Sequence, residues 1–581
     1  MIRDPLRPRL TLAALAAAFA LAACERAPSP AAPEPAPPAA AAHTFSPEIT
    51  EADFVEMVRT LASDEFEGRA PGSRGEELTV EYIRAQYERI GLQPGGENGS
   101  WYQTVPMVET TADESTVLKI QTGGGKTHEL AFGDDMVLNT RTGEAKVSIA
   151  DSELVFVGYG VNAPEQDWND YAGLDVEGKT VVMLVNDPGF HAKDESLFEG
   201  NRMTYYGRWT YKYDEAARQG AAAALIIHDT EGASYGWDVV KNSWSGAQFD
   251  LRPEDDPAPR MPAQGWITNE VARQLFADAG LDLDEQIQAA NRRGFKPVPL
   301  KAKASFDLAS TIKEGSSRNV IGVLPGSERP DEAVVYMAHW DHLGKHEGEG
   351  DTIYNGAVDN ATGVAGIIEI AEAFASQAPA PKRSVVFLAV TLEESGLLGS
   401  KYYVAHPTFP MHKTVAAINL DAMNVNGPAR DVIVVGKGNS ELEDILQGLA
   451  AAEQRVLVEE SNPAGGFYFR SDHFNFAKAG VPALYAKGGD DLVEGGIEAG
   501  KAAGQDYTAN RYHKPADEFD PSWNLAGVIQ DLKLLYGVGR ELAGGDRWPQ
   551  WYEGNPFRAE REASMRSAGG DAGGGTDAAG R

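Results

Sequence analysis

From Ser317 onward the chain repeats one pattern, a short and near-continuous apolar run followed by a stretch with helical periodicity. Asn319–Leu324, Ala333–Ala338, Ser384–Val390, Val415–Leu420, Val432–Val435 and Val481–Tyr485 are the runs. Val364, Ile367, Ile368, Ala371 and Phe374 mark one face of an intervening helix. A strand that is apolar on both faces must be covered on both faces. The pattern therefore predicts an α/β fold, a mainly parallel-stranded mixed sheet flanked by helices.

The ends of these runs carry groups of a different kind. Ala338-His339-Trp340-Asp341-His342 follows one strand, Thr391-Leu392-Glu393-Glu394-Ser395 another, and Asn419-Leu420-Asp421 a third. Asp359 opens the helix that begins at Asn360, in a loop flanked by Gly356 and Gly363, which suit tight backbone turns. In open α/β sheets, sites form outside the carboxyl ends of the strands, so these segments can converge on one edge. His513 lies further on, in Arg511-Tyr512-His513-Lys514-Pro515. The chain has a single cysteine, Cys24, so no internal disulfide or thiolate metal site can form and any metal must be held by His, Asp and Glu. That donor mix suits zinc, with manganese or cobalt as substitutes. Two metals about 3.5–4 Å apart need a bridging carboxylate with terminal ligands on either side. Three carboxylates and two histidines meet that need. The adjacent Glu393 and Glu394 point in different directions on an extended segment, so one can bind metal while the other faces substrate.

On these motifs the sequence resembles the di-zinc aminopeptidase family of bacterial leucyl aminopeptidases, related to glutamate carboxypeptidases and glutaminyl cyclases. The resemblance covers most of residues 46–545 and implies the zinc-exopeptidase fold with two Zn2+ per chain. It implies that His339 and Asp421 are terminal ligands of one zinc, that Asp359 bridges, and that Glu394 and His513 complete the second. Glu393 falls on the family's general base, and Asp341 on the carboxylate that orients the first histidine. Tyr512 matches a tyrosine that donates to the tetrahedral oxyanion; the lesser alternative for this residue type is a packed aromatic. Phe469-Arg470-Ser471-Asp472-His473-Phe474 matches a segment lining the substrate cleft, where Arg470 contacts substrate or forms a structural ion pair. His342, His346 and His473 fall outside the ligand pattern and read as neighbours or rim residues. The Gly-rich loop from Gly488 to Gly504 just precedes Tyr512 and is expected to border or cover the cleft.

At 581 residues the chain exceeds what one core serves, so two folded units are expected. Residues 154–230, with Gly178-Lys179-Thr180-Val181-Val182 and a helix leading into Ala224–Ile227, resemble a protease-associated domain, a small α/β unit inserted into exported peptidases. The expected organisation is a signal peptide at 1–23, a lipidated Cys24 with an Ala/Pro-rich linker at 24–45, and the N-terminal part of the peptidase domain at 46–115. The insert follows at 116–300, the catalytic domain at 301–553, and a disordered tail at 554–581. The leader reading rests on Arg3, Arg7 and Arg9 before the apolar run Leu10–Ala23, which is short for a membrane span. Leu21-Ala22-Ala23-Cys24 resembles the bacterial lipobox, which implies a lipid anchor and a periplasmic or outer-surface location. The formal net charge of -34 leaves no basic excess to displace counterions from phosphates, which excludes nucleic acid as a partner. Peptides are the expected substrates and an aminopeptidase the expected activity. The alternatives are a carboxypeptidase of the same fold and a non-catalytic peptide-binding lipoprotein.

Overall fold

The apolar run Asn319–Leu324 is the end of a 27-residue strand, Val298–Leu324, which runs through the sheets of both lobes. The computed structural model describes residues 43–571 apart from Pro257, and the chain from Phe45 onward forms one compact unit. The C-terminal part of the long strand pairs antiparallel with Arg383–Val390. Beyond it the order is parallel: Arg383–Val390, Arg329–His339, Thr414–Asn419, then Ala483–Gly488. Asp431–Val434 joins the last of these antiparallel, and Val456–Glu459 follows it in parallel. The sheet is thus mixed with a parallel centre. Arg383–Val390 is buried at every position, which is why its sequence shows no alternation.

One face is covered by helices Glu51–Leu61, Arg74–Ile90, Thr362–Ser376 and Ala526–Gly544. Phe54, Ile83, Ile367 and Leu532 from these helices share a core with Tyr336 and Phe387 of the sheet. On the opposite face Val335 and Leu388 meet Tyr403 and Phe476, from helices Leu398–Ala405 and His473–Lys478. The second helix ends at Gly91, whose φ of 87° is the left-handed C-cap that glycine adopts without a Cβ clash.

Between strand Tyr102–Ala112 and the N-terminal half of the long strand lies a second α/β lobe, in the region expected as an insert. Lys146–Phe156, Thr180–Leu184, Ala223–Ile227 and Ala263–Ile267 run parallel in that order. Alternate residues feed two cores: Val182, Leu184, Leu225 and Ile227 on one side, Val181, Met183, Ala224 and Ile226 on the other. The period of two along each strand supplies both faces at once.

Three expectations change. The segment assigned to a disordered tail from 554 contains helix Arg558–Asp571. Phe557 packs against Trp551, and the buried Arg561 guanidinium donates to the carbonyls of Met411 and Thr414. The Arg561 anchor acts over 150 and 147 residues of sequence, which a composition rich in Gly, Ala and Ser hides. The Gly-rich stretch 488–504 is not a loop throughout, because Gly496–Asn510 is a helix. Asp359 does not open a helix at Asn360: residues Ala357–Ala361 form a wide turn and the regular helix begins at Thr362. The predicted leader, Cys24 and most of the Ala/Pro-rich linker lie outside the described residues, as do residues 572–581. Among the described residues no helix is long and apolar enough to cross a membrane.

Candidate metal centre

His339 is the last residue of strand Arg329–His339, while Glu393, Glu394 and Asp421 lie just beyond Arg383–Val390 and Thr414–Asn419. His513 arrives from the turn after helix Gly496–Asn510. All five expected ligands meet at this edge, and Asp359 stands between the histidines. Its Oδ1 lies 3.2 Å from His339 Nε2 and its Oδ2 lies 3.3 Å from His513 Nε2. On one side Asp421 Oδ1 is 3.5 Å from His339 Nε2. On the other, Glu394 Oε2 is 3.1 Å from His513 Nε2. The site therefore divides into two triads that share one carboxylate, a different oxygen on each side.

The ligand side chains are held by groups on their far sides. Asp421 Oδ2 accepts a hydrogen bond from Ser471 Oγ at 2.6 Å, and Asn419 Nδ2 donates to that hydroxyl at 2.7 Å. Glu394 Oε1 pairs with His342 Nδ1 at 2.6 Å. Both carboxylate oxygens of Asp517 accept backbone N–H groups, from Val358 and Asp359, and so fix the bridging residue from behind. Arg69, fully buried, donates to the carbonyls of Trp340, Leu61, Asn355 and Gly356 and clamps the loops that carry His339 and Asp359. Burial pushes its guanidinium down to about 10, against the pull of Asp517, Asp359, Asp341 and Glu394.

Asp341 does not act in the expected way. Its backbone carbonyl lies 3.1 Å from His339 Nδ1, whereas its carboxylate Oδ1 is 3.9 Å away and instead accepts the Glu393 N–H at 3.1 Å. The carboxylate orients Glu393, and the imidazole is oriented by the peptide group beside it. Tyr512 stacks on His513 with ring centroids 3.9 Å apart and is 43% exposed, so it is not a packed core aromatic. Arg470 makes no ion pair among the described residues; its guanidinium lies 5.2 Å from the Phe467 ring centroid.

The electrostatics suit cation binding. Burial favours the neutral form of Glu394, yet His513 and His342 hold it at about 2. Burial likewise works against Asp359 ionising, and contact with His339 and His513 overcomes it. Burial, with Glu394, Asp421 and Asp472 nearby, pushes Glu393 well above the usual carboxylate range. Such crowding of carboxylates is stable only when positive charge sits among them. Imidazole and carboxylate donors on two linked triads fit two zinc-like ions without a thiolate.

Of the two expectations for His342, ligand neighbour or rim residue, the hydrogen bond to Glu394 makes it the neighbour. Sequence reasoning missed three supporting residues: Ser471 lay inside a recognised segment without a role, and Arg69 and Asp517 had none assigned. Ser471, two residues from His473 in a cleft-lining segment, was the one with a usable signal.

Residues 319–536 match the model of Peptidase family M28, a span that contains both triads and Glu393. The chain is similar to aminopeptidase NAALADL1 of Mus musculus, 29% identical over 136 residues, which are 22% of this chain and 17% of that one. It is also similar to the probable glutamate carboxypeptidase VP8 of Zea mays, 32% identical over 234 residues, 36% of this chain and 30% of that one. The chain thus spans less than a third of the length of these relatives. Among solved structures it is similar to the aminopeptidase from Aneurinibacillus sp. strain AM-1, at 21% identity and a TM-score of 0.49, covering 86% of this chain and 96% of that one.

Proposed function

We propose that this chain, whose residues 319–536 match the model of Peptidase family M28, is a two-metal aminopeptidase that removes N-terminal residues from peptides. The observation that carries the reading is the division of Asp359 between two histidines, one oxygen to each. His339 and Asp421 would hold one zinc, Glu394 and His513 the other, with Asp359 shared. Zinc held there supplies Lewis-acid polarisation of the scissile carbonyl and lowers the pKa of the attacking water.

The chain's own groups do the rest. Glu393 takes the proton from the water as it attacks and returns it to the leaving amine nitrogen. Its position is set by the hydrogen bond from its N–H to Asp341. The Tyr512 phenol donates to the oxyanion that develops on the carbonyl oxygen. The carboxylates around the centre suit a substrate with a free, positively charged amine. Export and lipid anchoring at Cys24 are part of the proposal and rest on sequence alone, on Arg3, Arg7 and Arg9 before the apolar run Leu10–Ala23 and on Leu21-Ala22-Ala23-Cys24. A carboxypeptidase of the same fold is the second reading, favoured by the unpaired guanidinium of Arg470.

Release of p-nitroaniline from leucyl p-nitroanilide, with and without chelator, tests the assignment. Chelator-sensitive turnover is expected, and Glu393→Gln should lower kcat by about 10²–10⁴ while metal stays bound. Normal turnover in that variant would show that the base lies elsewhere. Protein that binds no zinc by elemental analysis would remove the two-metal reading. Cleavage of N-acetylated peptides, but not of leucyl p-nitroanilide, would favour the carboxypeptidase.

A further inference from the structure

Asp421 reaches the metal centre on a turn that backbone preference alone does not hold. The next residue, Ala422, has a φ of 48°, in the left-handed region where a Cβ crowds the neighbouring carbonyl. A residue other than glycine keeps such a conformation only where its surroundings impose it. Here they do so group by group. On one side the contacts come from the segment that carries Asp359. Asn360 Nδ2 donates to the Leu420 carbonyl at 3.0 Å, and Asn360 Oδ1 accepts the Ala422 N–H at 3.3 Å. Thr362 Oγ1 accepts the Met423 N–H at 3.1 Å.

On the other side stands Lys487, from strand Ala483–Gly488. Its Nζ donates to the Ala422 carbonyl at 2.8 Å, to the Asp421 carbonyl at 3.3 Å and to the Tyr485 hydroxyl at 3.2 Å. Tyr485 passes its own O–H to the Asp421 carbonyl at 2.9 Å. An ammonium has three N–H donors and no acceptor. All three are spent inside the protein, so none is left to grip a ligand. Hydrogen bonds from a charged donor are the strong ones, and two successive carbonyls drawn to one ammonium fix both peptide planes that meet at Ala422. With the backbone set and Ser471 on Oδ2, Asp421 Oδ1 is left facing His339 Nε2 at 3.5 Å.

We propose that Lys487 is a positioning residue for one metal only: it holds the turn at Ala422 so that Asp421 faces His339, and the affinity of the His339–Asp421 site depends on it. The inference rests on the two-metal reading above and adds a residue which that reading leaves without a role. Without the ammonium both carbonyls lose a donor, the turn is free to relax, and Asp421 swings with it. The other site keeps its own supports, because Glu394 is held by His342 and the bridging Asp359 by Asp517.

Titration of the metal-free protein with zinc, in competition with a chromophoric chelator, reads each site without turnover. Wild type should bind two zinc ions. Lys487→Met should weaken one of them by about 10–100-fold and leave the other within about threefold. Lys487→Gln keeps one N–H donor of similar reach; it should fall between the two and gives the same readout where the Met variant does not fold. Asp421→Ala identifies the site. Adding Lys487→Met to Asp421→Ala should weaken zinc binding no further, because the lysine acts through that ligand. Two sites weakened alike, neither site weakened, or a loss that adds to that of Asp421→Ala would overturn the role of Lys487 while leaving the peptidase reading intact. The expected selective loss in a protein that cleaves no leucyl p-nitroanilide would instead remove the peptidase reading and leave Lys487 in place.

Discussion

Glu369 offers a quantitative test of how the catalytic core is held together. It sits on helix Thr362–Ser376, 1% exposed, where one carboxylate oxygen accepts the Thr50 N–H at 2.8 Å and the other is buried without a partner. Burial, with Asp53 and Glu372 nearby, pushes its pKa up from 4.5 to about 8. Between those values the folded protein keeps a proton that the unfolded chain has released. This contribution to stability is full below pH 4.5, falls as pH rises, and is gone above about 8. At about 1.4 kcal/mol per pH unit the span sets a ceiling of about 5 kcal/mol. Relaxation around the ionised group makes about 2–4 kcal/mol the expected size. Glu369→Gln keeps the shape and the acceptor for Thr50 but cannot ionise. Urea unfolding of zinc-loaded wild type and variant should give stabilities within about 1 kcal/mol at pH 5, and a variant more stable by about 2–4 kcal/mol at pH 9. A difference that does not change between pH 5 and pH 9 would refute the argument.

Asp517 touches Asp359 only through backbone N–H groups. Asp517→Ala should weaken metal binding by about 10–100-fold in a competition titration, with the ligand set itself untouched. Arg455 and Asp531 form a pair with side chains each 2% exposed, and Asp531 also accepts the Gly488 N–H. Arg455→Met should therefore destabilise the protein by about 3–5 kcal/mol in urea, because it leaves a buried carboxylate without its cation. Cys24→Ser should move the protein from the membrane to the soluble fraction of the producing bacterium; retention on the membrane would remove the lipid-anchor proposal.

What could be read from the sequence, and what could not, follows from the range of the interactions. Continuous apolar runs report burial on both faces, so the parallel centre of the sheet was visible in Ser384–Val390 and Val415–Leu420. Ligands at strand ends were visible for the same reason, because topology alone brings His339, Glu394 and Asp421 to one edge. The groups behind them were not. Asp517 acts on backbone N–H groups 158 and 159 residues away in sequence, and Arg69 reaches carbonyls on both sides of the loop it clamps. Neither leaves a periodic trace. The role of Asp341 was misread because a carboxylate two residues from a histidine looks like its partner, while the carbonyl of that same residue is closer.

The long strand Val298–Leu324 has a mechanical meaning. Along Ser310–Val320 it is laced antiparallel to Tyr102–Ala112, so both chain crossings between the lobes belong to one two-stranded ribbon. At its far end Asn319 holds the Thr391 N–H and the Gly399 carbonyl, on the segment that carries Glu393 and Glu394. Such a ribbon resists bending far more than a pair of loose linkers does, and with about 3.3 Å per residue its long strand has a contour of roughly 90 Å. It behaves as a strut. A load applied to the inserted lobe, for instance by a docking polypeptide, would be delivered to the base of the Glu393–Glu394 turn and not absorbed at a joint.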